Sequence, residues 1–85
     1  IASYGVLLEL LAQEVNMVPE ELIGNLGDCH VYLNQQAPCE EQLQRLPSET
    51  LPRLELTNID ILKGEFDYQL KGYISHPALK IPLSN

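Results

Sequence analysis

The chain has 85 residues, 45% of them hydrophobic, with 12 acidic against 5 basic side chains and a net charge of −7. That composition is globular and long enough for one small domain at most, and its acidity repels nucleic acid and anionic membranes. Two cysteines, Cys29 and Cys39, are too few for a disulfide scaffold of the secreted kind, which points to a reduced, cytoplasmic setting.

No charge-free apolar run reaches the roughly 18 residues that a membrane span needs. The first residues follow an apolar helical pattern with no charged leader, so they do not read as a signal peptide. From Ile1 to Val15, apolar residues at Ile1, Tyr4, Leu7, Leu8, Leu11, Ala12 and Val15 share one broad helix face. Val6 and Leu10 extend it nearly all round, leaving Glu9, Gln13 and Asn16 as a polar stripe. A helix over about residues 2–15 is predicted, and its width demands burial on most sides within a larger protein. Its N-cap is expected just before Ile1.

Pro19 disfavours helical geometry at Val18, so the helix ends between Asn16 and Pro19. A strand is predicted over about residues 21–33. A short helix over about 37–45 follows, with Pro38 in its first turn and Glu40 and Glu41 near its positive end. Cys39, Leu43 and Leu46 fall at i, i+4 and i+7 and read as its buried face. Alternation predicts strands over about 53–57 and 67–73. Between them Asn58 reads as the cap of one helical turn through Leu62, closed at Gly64. Residues 75–85 form an irregular tail, because Pro77 and Pro82 block regular ladders.

The densest chemistry lies between Gly24 and Asn34. Period-2 alternation sends His30 and Tyr32 to one face and Cys29 and Val31 to the other. An imidazole and a phenol so placed can give two hydrogen bonds to one ligand hydroxyl, which suits sugar recognition. The plainer reading is a satisfied core histidine beside an ordinary strand aromatic. Gly27 marks a bulge or a close backbone approach. Cys29 faces away from His30, so no thiolate–imidazole pair forms there. Cys29, Cys39, His30 and His76 lack the paired spacings of a zinc site, and no metal is expected.

The run Gly27-Asp28-Cys29-His30-Val31-Tyr32 resembles the Gly-Asp-x-His-x-Tyr segment of thymidylate synthases. Ile1-Ala2-Ser3-Tyr4 is similar to a block that follows an Asn in that family, and Leu51-Pro52-Arg53-Leu54 to its Leu-Pro-Lys-Leu. Gly72-Tyr73, His76-Pro77, Lys80 and Pro82 resemble the close of the family's chain. The four blocks stand in the family's order from Ile1 to Asn85. Residue identity departs from the pattern at two places: Ser75 stands where a Pro is usual, and Ser84-Asn85 replaces a small apolar residue followed by Val or Ile. The loop from Pro47 to Pro52 also seats one residue more than the usual spacing.

The resemblance implies an α+β fold, a thymidylate synthase-like fold with a mixed sheet at a homodimer interface and a long buried helix, of which this chain is the C-terminal third. It implies reductive methylation of dUMP to dTMP with 5,10-methylenetetrahydrofolate, a co-substrate that brings both the one-carbon unit and the hydride. His30 and Tyr32 would bind the deoxyribose 3′-hydroxyl of dUMP. Ser84 and Asn85 would lie in the tail that closes over folate. The nucleophilic Cys, the phosphate-binding arginines and the base-reading Asn would lie upstream. Two other functions are compatible with the residues: a deoxynucleotide (dUMP or dCMP) hydroxymethylase, and a non-catalytic dimerisation or binding fragment.

Overall fold

A computed structural model of the chain describes residues 1–84. Helix α1 spans Ala2–Glu14 and helix α2 spans Gln36–Leu43, the latter entered directly from a 3-10 turn at Leu33–Gln35. Strands β1 (Arg53–Asp60) and β2 (Glu65–Lys71) form a two-stranded antiparallel hairpin. The class is therefore α+β, and both helices lie close to their predicted positions. The strands are also close, with β1 three residues longer and β2 two residues earlier than the alternation suggested.

Helix α1 stops before Pro19 can act, because Asn16 adopts a left-handed φ of 56°. The Met17 N–H then donates to Ala12 O at 2.7 Å and the Asn16 N–H to Gln13 O at 3.2 Å. These are the paired 6→1 and 5→2 bonds of a Schellman cap, with Asn in the place usually taken by Gly. The cap satisfies two carbonyls that the last turn would otherwise leave open.

In the hairpin Leu54 faces Leu70 and Leu56 faces Tyr68, while Arg53, Glu55 and Thr57 pair with Lys71, Gln69 and Asp67. One face is thus apolar and the other charged, with Lys71 Nζ 3.0 Å from Glu55 Oε2. The pairing shifts between Thr57 and Asp60. Asn58 is the bulge residue, at φ 51°, and its side-chain amide donates to Asp67 Oδ2 at 2.7 Å. It is a left-handed bulge and no helix cap, since the ladder resumes at Asp60 opposite Glu65. Alternation is thereby reset: unbroken from Leu56 it would turn Asp60 towards the apolar face, whereas the bulge turns it to the charged one. The expected helical turn is a tight reversal instead. In it the Gly64 N–H donates to Ile61 O at 3.1 Å and the Lys63 N–H to Asp60 Oδ1 at 3.2 Å, with Gly64 at φ 68°.

The core sits where α1 meets β1. Among the described residues its buried apolar side chains are Leu10, Ala12 and Leu56. Gln13 belongs to the same contact, its amide donating to Leu56 O at 3.0 Å. That bond satisfies a carbonyl of an edge strand.

The hairpin covers one flank of helix α1 only, leaving Tyr4 67% and Val15 60% exposed. Two expectations are corrected. Residues 21–32 do not form a strand, since they pair with no partner among the described residues. The face of α2 is open, with Leu43 and Leu46 exposed, as no element among the described residues packs against it apart from the adjoining 3-10 turn. The radius of gyration, 16.5 Å, exceeds the roughly 12 Å of a compact domain of this length.

The Schellman cap yields a test. Asn16→Ala places an unassisted side chain in the left-handed region and should lower stability by about 1 kcal/mol, whereas Asn16→Gly should match or exceed the native residue. Urea midpoints of the native protein and both variants measure the difference.

Candidate functional site

Residues 17–32 run without regular structure, apart from a bend at Gly27 and Asp28, into the 3-10 turn. Tyr32, the N-cap of that turn, has extended geometry at φ −73° and ψ 153°. The alternation expected of a strand therefore reaches the site, although no ladder supports it.

His30 and Tyr32 do meet. Their ring centroids are 5.2 Å apart with an interplanar angle of 79°, an edge-to-face contact. His30 Nδ1 lies 3.2 Å from Asp28 Oδ1. Asp28, His30 and Tyr32 thus form one file at i, i+2 and i+4. The spacing that paired His30 with Tyr32 also places Asp28 beside the ring. All three are exposed, the His30 side chain at 53% and that of Asp28 at 95%, so neither ring is the satisfied core residue of the plainer reading.

The chemistry of the file follows from its hydrogens. With Nδ1–H donating to the Asp28 carboxylate, the neutral imidazole presents Nε2 as an acceptor. The Tyr32 phenol can donate or accept. A hydroxyl between them can donate to the ring and accept from the phenol, a pairing that no carbonyl or cation reproduces.

Gln35 organises the backbone beneath this file. Its N–H donates to Tyr32 O at 2.9 Å, and its side-chain Oε1 accepts from the Tyr32 N–H at 3.2 Å. Both main-chain groups of Tyr32 are therefore held by one residue.

The tail lies against the same turn. Gln35 Nε2 donates to Pro82 O at 2.8 Å, and Ser84 Oγ donates to Asn34 Oδ1 at 2.6 Å. Ser84 is accordingly half-buried, whereas Leu83 beside it is 94% exposed. Asn85, expected to contact folate with Ser84, lies outside the described residues. Farther back, His76 Nε2 lies 3.0 Å from Leu46 O, and Arg45 Nη1 donates to Pro77 O at 2.7 Å. The His-Pro corner therefore braces the tail just beyond the end of α2. Cys29 is exposed and Cys39 half-buried, and both are free thiols. Among the described residues no group of three or more His, Cys, Asp or Glu side chains is placed to hold a metal ion.

Comparison with known proteins bears on the whole chain. The thymidylate synthase of Mycoplasma mobile is 46% identical over 84 aligned positions, covering 94% of this chain and 28% of that protein. The human thymidylate synthase is 39% identical over 88 positions, covering 99% of this chain and 28% of that protein. A Listeria monocytogenes thymidylate synthase is 40% identical over 87 positions, covering 99% of this chain and 27% of that protein. The chain thus spans about 28% of the length of these curated relatives. No solved structure gives a significant match. The family profile described as thymidylate synthase matches residues 1–85, end to end, and the chain belongs to the thymidylate synthase family.

Proposed function

We propose that this chain is the C-terminal portion of a thymidylate synthase that converts dUMP to dTMP, with 5,10-methylenetetrahydrofolate supplying the one-carbon unit and the hydride. The observation that carries the reading is the Asp28–His30–Tyr32 file, exposed and set for a single hydroxyl, within a chain matched over its whole length by the family. In this reading His30 and Tyr32 hold the deoxyribose 3′-hydroxyl, and Asp28 fixes the imidazole tautomer. The tail through Ser84 and Asn85 closes over nucleotide and folate, excluding water from the transfer. The nucleophilic Cys and the phosphate-binding arginines belong to other parts of the enzyme.

Two further features fit the same proposal. The exposed apolar flank of α1, with Tyr4, Leu7, Leu11 and Val15, suits burial in the larger body of a homodimeric enzyme. The excess of acidic side chains matches a phosphate held elsewhere. Among the described residues no helix is long and apolar enough to cross a membrane, and a cytoplasmic site of action is part of the proposal.

Steady-state kinetics of the full-length enzyme test the sugar contact. Tyr32→Phe should raise KM for dUMP about three- to tenfold, the worth of one hydrogen bond, and His30→Ala at least tenfold, with smaller changes in kcat. Unchanged KM in both variants would remove these residues from the nucleotide site. Asp28→Asn should raise KM by no more than about threefold, because an exposed carboxylate contributes little.

Product analysis tests the reaction itself. Incubation with dUMP and methylenetetrahydrofolate should yield dTMP and dihydrofolate in equal amounts. A hydroxymethylated nucleotide with tetrahydrofolate would instead assign the chain to the hydroxymethylases, and no turnover would leave a binding module.

A further inference from the structure

We infer that Gln35 is a positioning residue that couples the tail to the ligand-facing pair, so that one side chain sets both where Tyr32 stands and whether the tail is docked. The inference rests on the nucleotide site proposed above. Its basis is the use of the backbone N–H of Gln35 and of both polar groups of its side chain. The backbone N–H and the side-chain Oε1 hold the carbonyl and the N–H of Tyr32, at 2.9 and 3.2 Å. The remaining group, Nε2, donates to Pro82 O at 2.8 Å, across 47 residues of sequence. Gln35 is half-buried at the joint between the 3-10 turn and α2, so its side chain is anchored at its own backbone by regular structure.

The neighbouring bond makes the joint a two-point clasp. Ser84 Oγ donates to Asn34 Oδ1 at 2.6 Å, one residue away from Gln35 on the turn and two away from Pro82 on the tail. Pro82 offers the clasp a carbonyl but no N–H, so only a donor on the turn can hold it there. A glutamine satisfies both demands, acceptor towards Tyr32 and donor towards the tail. A residue that only accepted, or only donated, would serve one and lose the other.

That asymmetry supplies the experiment, carried out on the full-length enzyme. Gln35→Glu keeps an oxygen for the Tyr32 N–H and turns the second, an acceptor, against Pro82 O. It should release the tail and spare Tyr32. Gln35→Leu removes both bonds, and Ser84→Ala removes only the second clasp point. Two readouts are taken: amide hydrogen exchange at Leu83 and Ser84 without ligand, and the dissociation constant of dUMP by calorimetry.

The expected pattern is a split. In Gln35→Glu tail exchange speeds up about three- to tenfold and dUMP affinity stays within twofold of the native enzyme. In Gln35→Leu both change by about three- to tenfold, and in Ser84→Ala, which is read by exchange alone, tail exchange speeds up. Native tail exchange in Gln35→Glu, or native dUMP affinity in Gln35→Leu, would overturn the inference. If the unmodified enzyme fails to bind dUMP, the proposed function fails first. The exchange data still judge the clasp in that case, because they need no nucleotide.

Discussion

The structure is governed by the contact between α1 and the β1–β2 hairpin, and by how little that contact can cover. A two-stranded sheet offers one apolar face, built here from Leu54, Leu56, Tyr68 and Leu70. A single helix laid against it hides one stripe of its own surface and no more. Leu10, Ala12 and Leu56 are buried, Gln13 closes the seam with a side-chain bond to the strand, and everything beyond this line meets solvent. The remaining pieces are tied on by polar bonds from one segment to the next. The bonds of Arg45 and His76 fasten the tail to the end of α2, and those of Gln35 and Ser84 fasten it to the 3-10 turn.

What the sequence made legible is what neighbouring residues decide among themselves. The helix periodicity of α1, the proline in the first turn of α2, the alternation of β1 and β2 and the turn at Gly64 are local properties, and each element formed close to its predicted place, although Glu40 and Glu41 fall beyond the first turn of α2. Asn58 shows the limit of such reasoning. An asparagine tolerates a left-handed backbone as readily as it caps a helix, and only the resumption of pairing at Asp60 decides between the two. Residues 21–32 show a second limit. A strand is a relation between two segments, so extended residues without a partner are not one. The apolar positions Leu43 and Leu46 show a third, because periodicity identifies a face without saying what will cover it.

The candidate site divides along the same line. His30 and Tyr32 were legible from their spacing, and the edge-to-face contact is what that spacing produces when the backbone is extended. Asp28 obeyed the same rule and could have been found by it. Gln35 was invisible, since nothing near it in sequence indicates a bond to Pro82. The placement of Ser84 against Asn34 likewise joins residues 50 apart. Long-range polar contacts of this kind depend on the path of the chain between them, which no local pattern encodes.

The bulge at Asn58 also governs where this chain can change length. Upstream of the hairpin, the exposed segment between Pro47 and Pro52 carries side-chain bonds confined to Ser48 and Thr50, so a change of length there stays local. Within the hairpin, a deletion in β1 that left the bulge in place would exchange inside for outside along the strand on one side of it, whereas loss of Asn58 alone would restore plain alternation, with Ile59 on the apolar face and Asp60 still opposite Glu65. Two neighbouring stretches of similar exposure therefore carry opposite tolerances: one is elastic in length, and the other is counted residue by residue.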